Sequence, residues 1–257
     1  MPTVEVEARG RVTVVWLDRP EVHNAINGEV AAGLEEAIRR FASDEDARVL
    51  IVAGRGGRAF SSGADLLDGP GLFEGRASGF QEPLRFASLD PGKPTIAAIE
   101  GHCLAGGMEL ACWCDFRIAG ESAQFGVVNR RWGVPLVDGG TQRLPRIVGL
   151  SNALWMIETG VRFGAGRARE IGLVQEVVPD GSALDRALEL AERIAAYPWA
   201  SLVADRASAL EAQGLPLHEG LALELAQGMP TLGDVELAAG LQRFASNDRP
   251  PPPEPAG

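Results

Sequence analysis

Two short segments combine small residues with a nearby carboxylate: Phe60-Ser61-Ser62-Gly63-Ala64-Asp65-Leu66 and Ala105-Gly106-Gly107-Met108-Glu109-Leu110-Ala111. Each lies in or after a loop that follows an apolar run of strand character. Small residues let a ligand approach main-chain amides closely, and a helix N-terminus adds unpaired donors and the positive end of its dipole. Amides around Ala64 and around Gly106 that converge on one point form an oxyanion hole, which meets negative charge as it builds on a carbonyl oxygen. Either segment alone reads as close packing; the pairing points to chemistry.

Glu109 follows Gly106 by almost one helical turn, so its carboxylate returns to the side of the Gly106 amide and is the first candidate for acid–base work. The structural reading of the same residue is a first-turn Glu that complements the helix dipole. Asp138, just before Gly139-Gly140-Thr141, is the second candidate carboxylate; its structural reading is a cap on a helix that starts near Thr141. Asp65 reads more simply as a turn cap than as a catalyst.

The elements that must position these residues follow from the hydrophobic pattern. Runs at 3–6 and 11–17, separated by Ala8-Arg9-Gly10, predict a hairpin. Asn27 predicts a helix cap, and Val30, Leu34, Ala37, Ile38 and Phe41 share one helical face. Apolar strands are predicted at 49–53 and 95–99, the second leading through Gly101 to Gly107 into a helix at 108–115. The stretch 54–93 reads as a long loop over a site. An amphipathic helix is predicted at 183–196 with Ser182 as its cap, followed by helical stretches near 200–212, 219–227 and 235–244. Residues 1–197 therefore read as an α/β core, 198–248 as a helical region that packs on the core or serves oligomerisation against another subunit, and the proline-rich 249–257 as a disordered tail.

Composition narrows the class. A formal charge of −11 and a pI near 4.8 oppose broad nucleic-acid or anionic-membrane binding, and no run is long enough to span a membrane. The opening residues lack a basic signal-peptide start, which predicts a cytoplasmic protein. Three cysteines without zinc spacing read as reduced, partly buried thiols.

With these motifs in order, residues 3–248 resemble the crotonase, or enoyl-CoA hydratase/isomerase, superfamily. The matching pieces are Leu17-Asp18-Arg19-Pro20-Glu21 with Asn24-Ala25, the segment 60–66, Gly106 to Ala111 with Cys114-Asp115, and Gly139-Gly140-Thr141-Gln142-Arg143-Leu144-Pro145. The resemblance implies a crotonase-like ββα spiral with a C-terminal helical extension, assembled as a trimer or a dimer of trimers. It implies that Ala64 and Gly106 donate the oxyanion-hole amides, that His23, Ala25, Ser62, Asp65 and Leu66 line the coenzyme A path, and that Glu109 orients and activates water. Coenzyme A enters as part of the substrate; neither metal nor nicotinamide is needed. One departure stands out: ungapped counting puts Asn129 where hydratases of this family carry a second glutamate, and Asn cannot transfer a proton as a carboxylate does. Hydration of a 2-enoyl thioester is the first expectation, with double-bond isomerisation through Glu109 and/or Asp138 beside it.

Three other readings compete. Gly54 to Ala59 fits a loose dinucleotide pattern with Glu74 downstream, but the turns that follow do not continue as a helix. A serine hydrolase would pair Ser61 or Ser62 with His23, His102 or His218, yet no nucleophile-elbow sequence surrounds either serine, and His102 reads as a satisfied turn histidine. A protein that binds acyl-CoA without turning it over would keep the pocket and lose the carboxylates, against which Glu109 and Asp138 stand.

Overall fold

The computed structural model describes residues 2–68 and 82–248; Glu74 and the tail 249–257 lie outside the described residues. Strands β1 (Val4–Arg9) and β2 (Val12–Leu17) form the predicted antiparallel hairpin, and Gly10 takes its turn at φ +61°. β2 is joined in parallel by β3 (Val49–Gly54), β3 by β5 (Thr95–Ile99), β5 by β7 (Phe116–Gly120), and β7 by β10 (Glu176–Val178), completing a six-stranded sheet. The central strands read as continuous apolar runs because both faces are covered.

A second, four-stranded sheet holds β4 (Ala59–Ser61), β6 (His102–Leu104) and β8 (Gln124–Gly126) in parallel, with β9 (Phe163–Gly164) antiparallel at its edge. The chain leaves the large sheet at β5, crosses to β6, and enters helix α2 (Gly106–Trp113), the strand-strand-helix turn of the expected spiral. The stretch 54–93 is thus not a loop throughout: it carries β4 and a 3₁₀ turn at Leu66–Asp68. Strands of two or three residues show no readable period, which is why the second sheet is invisible in the sequence pattern.

Helix α1 (Gly28–Ser43) starts at Asn27, whose side chain accepts the Val30 amide at 3.0 Å, and its predicted face packs under the large sheet. Helices α3 (Gly140–Val148), α4 (Leu150–Thr159) and α5 (Ala165–Glu170) follow the second sheet. On the opposite face α6 (Ala183–Ala196) lays Ala183, Ala187, Ala191 and Ala195 against Val12, Val14, Val49 and Ile51. Ser182 precedes α6 without capping it; Glu100 accepts the Gly181 and Ala183 amides instead, each at 3.0 Å. A carboxylate just past the end of β5 does the work expected of the local hydroxyl.

Helices α7 (Trp199–Glu211), α8 (Leu217–Gly228) and α9 (Val235–Ala245) make up the helical end. Arg206 on α7 fastens it to the core through paired bonds to Asp115 at 2.8 and 3.0 Å and a third to Asp90. The planar guanidinium matches a carboxylate in this two-pronged geometry. Glu236 on α9 accepts the first amides of α7, those of Trp199 and Ala200. None of the helices among the described residues is long and apolar enough to cross a membrane.

Arg117 on β7 is 2% exposed and donates to the carbonyls of Leu173, Ala111 and Cys114 and to the Gln175 side chain. Two of those carbonyls close the C-terminal end of α2, where a cation opposes the negative end of the dipole. Replacing Arg117 by Met keeps much of the volume and orphans these acceptors, so a loss of about 3 kcal/mol is expected. For a chain of this size that is a fall of roughly 10 °C in Tm. A thermal melt within 2 °C of the parent would contradict this role.

Candidate active site

Of the four amides at residues 62–65, which follow β4, three are hydrogen-bonded among the described residues. Ser62 N donates to the His23 carbonyl at 3.0 Å and Asp65 N to Ile26 at 2.9 Å, while Gly63 N donates to Ser61 Oγ at 3.1 Å. Ala64 N makes no hydrogen bond among the described residues. At the start of α2, Ala105 N is spent on Gly126, and Met108 N and Glu109 N return to the Ala105 carbonyl; the Gly106 amide precedes the helical ladder and is unspent among the described residues.

Glycine creates the space between the two free amides. A Cβ on Gly106 would stand 3.4 Å from Ala64 N, and one on Gly63 would stand 2.5 Å from Gly106 N. Gly63 also needs its φ of +91°. Ala105 is held at φ +50°, ψ −122°, a conformation that costs a non-glycine residue of order 1–3 kcal/mol and clusters at functional sites.

Both segments open on a cavity of about 100 Å³, whose lining includes Ser62, Ala64, Leu66, Gly106, Glu109, Asn129 and Asp138. Its apolar walls come from Pro83, Leu84, Val134, Pro135 and Val137, with Trp132 at 70% exposure on the rim. The structure therefore gathers seven of the ten residues singled out in the sequence around one space. His23, Ala25 and Asp65 are not among its lining residues. The Asp65 carboxylate accepts from Arg19 at 2.9 Å and from the Leu67 amide at 3.2 Å, so it caps its turn. Arg19 also donates to the Ala25 carbonyl. The His23 ring meets Arg58 at 3.1 Å and lies 5.9 Å from the His102 ring.

Glu109 is 4% exposed. Its Oε1 accepts the amides of Gly140 at 2.8 Å and Asp138 at 3.0 Å, leaving Oε2 without a hydrogen bond among the described residues. Burial raises its pKa from 4.5 to about 7; the nearby Asp138 charge pushes the same way, and the two amides pull against both. The carboxylate thus closes the N-terminus of α3 while it lines the cavity. Asp138 is not the cap of that helix as its sequence position suggests: α3 starts from Gly139 at φ +97°, and Asp138 Oδ1 accepts the Leu84 amide at 2.8 Å. A wall of the cavity is thereby tied to the second carboxylate.

Asn24 is the positioning residue that its sequence neighbourhood does not announce. It is 1% exposed at φ +52°, accepts the Arg19 amide, and donates to the Arg55 and Ala59 carbonyls. Its own carbonyl takes the Ser61 hydroxyl at 2.8 Å. Four bonds at one residue fix the strand that delivers Ala64.

The competing readings lose their geometry. Ser61 is fully buried and spends its hydroxyl on Asn24 and Gly63 rather than on a histidine. His102 is not a satisfied turn residue: it begins β6, and its buried Nδ1 finds no partner among the described residues. Burial, then Arg162, His23 and Arg58, lowers its pKa. The residues after Gly54 turn directly into β4, with no helix to receive a dinucleotide phosphate. Cys103, Cys112 and Cys114 are fully buried rather than partly so; burial pushes their pKa values up, that of Cys112 to about 11, and keeps them unreactive.

Comparison with known proteins agrees over the whole chain. A model of the enoyl-CoA hydratase/isomerase family matches residues 7–252. The chain is 34% identical to enoyl-CoA hydratase EchA19 of Mycobacterium tuberculosis, over 97% of its own length and 96% of that protein. It is 35% identical to 2,3-dehydroadipyl-CoA hydratase of Escherichia coli, over 87% and 88% of the two chains. A crystal structure of enoyl-CoA hydratase from Mycobacterium tuberculosis H37Rv superposes with a TM-score of 0.89 at 34% identity, covering 98% of both chains. One from Bacillus anthracis gives 0.88 at 32% identity, covering 95% and 96%.

Proposed function

Since this chain belongs to the enoyl-CoA hydratase/isomerase family, we propose that it adds water to a 2-enoyl-CoA, with the thioester oxygen held by the amides of Ala64 and Gly106. The observation that carries the site assignment is the pair of unspent amides flanking the space left by Gly63 and Gly106, in the same cavity as the Glu109 carboxylate. Donors fixed in advance stabilise the enolate without having to reorganise. Glu109 takes a proton from the attacking water and returns it to the carbon next to the carbonyl. Asp138 holds the Leu84 wall and, as a second negative charge, keeps Glu109 basic enough for the task.

Isomerisation of an unsaturated acyl-CoA is the second reading, favoured by Asn129 standing without a carboxylate opposite Glu109. The buried thiols suit a reducing compartment such as the cytoplasm. Self-assembly into trimers or hexamers is supported by apolar side chains exposed along the helical end, among them Leu217 at 79%, Leu225 at 62%, Val235 at 81% and Phe244 at 70%. That supports residues 198–248 as the oligomerisation region. Coenzyme A is held as part of the substrate.

Because Glu109 takes a proton from water and hands it to the α-carbon, hydration and the reverse dehydration of the 3-hydroxyacyl product both start from its ionised carboxylate. Through the pH region near 7, hydration and dehydration are therefore both expected to rise with pH and then level off. Loss of the conjugated thioester absorbance of a 2-enoyl-CoA measures the first and its gain from the 3-hydroxyacyl-CoA the second. A 3-enoyl-CoA tests isomerisation in the same cuvette. Tight binding by calorimetry with no turnover of any of the three would overturn the enzymatic reading in favour of a binder.

A further inference from the structure

Among the described residues two acids line the cavity and no cation does: Glu109 and Asp138 are buried in its wall, and none of the lining side chains is Lys, Arg or His. The arginines close to its walls in the chain are engaged elsewhere. Arg85 pairs with Glu35 at 3.5 Å, Arg130 donates to the Ile157 carbonyl at 3.3 Å, and Arg143 donates to the Ala87 carbonyl at 2.7 Å. Arg131 is exposed and does not line the cavity. Leu66, Trp132 and Val137, by contrast, line the same cavity and remain exposed to water. Large apolar side chains at the mouth of a pocket mark a surface that a ligand covers.

We propose that this cavity takes an uncharged, apolar acyl tail, laid from the reacting carbons outward over Val137 and Trp132, and that it rejects acyl groups ending in a carboxylate. The inference rests on placing the thioester oxygen at the amides of Ala64 and Gly106. A carboxylate at the end of the tail would shed its water, find no guanidinium or ammonium in the lining, and approach both Asp138 and Glu109, which is ionised when the reaction starts. Like charges held together away from water repel strongly. An alkyl tail incurs neither cost and removes Trp132 and Val137 from water. The flat apolar face of an indole accepts tails of different shape. Because the rim is continuous with the cavity that holds the two acids, it belongs to the substrate rather than to a second copy of the chain.

Three substrates test the charge rule: 2-hexenoyl-CoA, the 2-enoyl-CoA of equal length that ends in a carboxylate, and the methyl ester of the latter. The carboxylate is expected to have a kcat/KM about 10²-fold below that of its ester, and Val137→Arg to narrow that gap roughly tenfold. Trp132→Ala is expected to lower kcat/KM for 2-hexenoyl-CoA relative to crotonyl-CoA by about tenfold, mainly through KM, since each methylene that loses its apolar contact is worth about fourfold. Equal rates for acid and ester, a gap that Val137→Arg leaves unchanged, or the same effect of Trp132→Ala on short and long substrates would each overturn the proposal. Loss of self-association in Trp132→Ala with the chain-length preference intact would assign the rim to a second copy and overturn it too. Calorimetry with hexanoyl-CoA, adipyl-CoA and the methyl ester of adipyl-CoA reads the same preference without turnover. If none of the enoyl substrates is hydrated but the ester still binds about 10²-fold tighter than the acid, the hydratase reading fails and this inference stands; equal affinities overturn the inference whatever the turnover.

Discussion

Glu109→Gln is expected to lower turnover of a 2-enoyl-CoA by about 10² to 10⁴-fold and, at pH 8, to raise the melting temperature. The two effects have one origin. Gln keeps an oxygen for the amides of Asp138 and Gly140 and removes a charge that burial disfavours. Because the folded pKa is raised, the native state binds the extra proton between pH 4.5 and about 7, and wild-type stability falls as pH climbs through that window. At about 1.4 kcal/mol per pH unit, that rise corresponds to on the order of 3 kcal/mol. The advantage of the Gln variant should be absent below pH 4.5, grow to about pH 7 and stay level above it. Unchanged turnover would remove Glu109 from the chemistry; a stability gap that ignores pH would contradict its raised pKa.

Gly63→Ala is expected to cost 10²- to 10³-fold in kcat, the usual effect of losing one oxyanion donor. The new Cβ would lie 2.5 Å from Gly106 N, in the space assigned to the thioester oxygen. The substitution also forces alanine to φ +91°, so reduced stability alone would not establish the assignment. Gly57 supplies the control: it sits at φ +68° with nothing within 4 Å of an added Cβ. Gly57→Ala should show the cost of the positive φ alone, without a clash, and keep its kcat. A folded Gly63→Ala protein with parental kcat would show that the thioester oxygen is held elsewhere.

The sequence makes the site more legible than the second sheet that carries it. Apolar runs such as 49–53 and the spaced face of α1 are long enough to show a period, and their elements lie where predicted. β4, β6 and β8 have three residues each, too few for any pattern. Gly63, Ala64, Gly106 and Glu109 are legible because small residues and a lone acid interrupt apolar surroundings. The partner of Asp138 and the acceptor at the start of α6 are hidden for another reason: Leu84 and Glu100 reach those places through the fold, 54 and 83 residues away in the chain. Local capping rules see only near neighbours. Asn24 lies within a recognised motif, but its hub role depends on Arg55 and Ala59, which only the folded chain brings to it.

That hub bears on how the protein acquires activity as it folds. Asn24 ties residues 19, 55, 59 and 61 together, and the loop it steadies must still find Gly106 across the β4–β6 pairing. Such contacts join distant parts of the chain, and their loop-closure entropy is met only as the nonlocal sheet forms. The polarising pocket is therefore a late product of assembly. A chain that has made its helices but not this junction carries the right side chains and no catalyst.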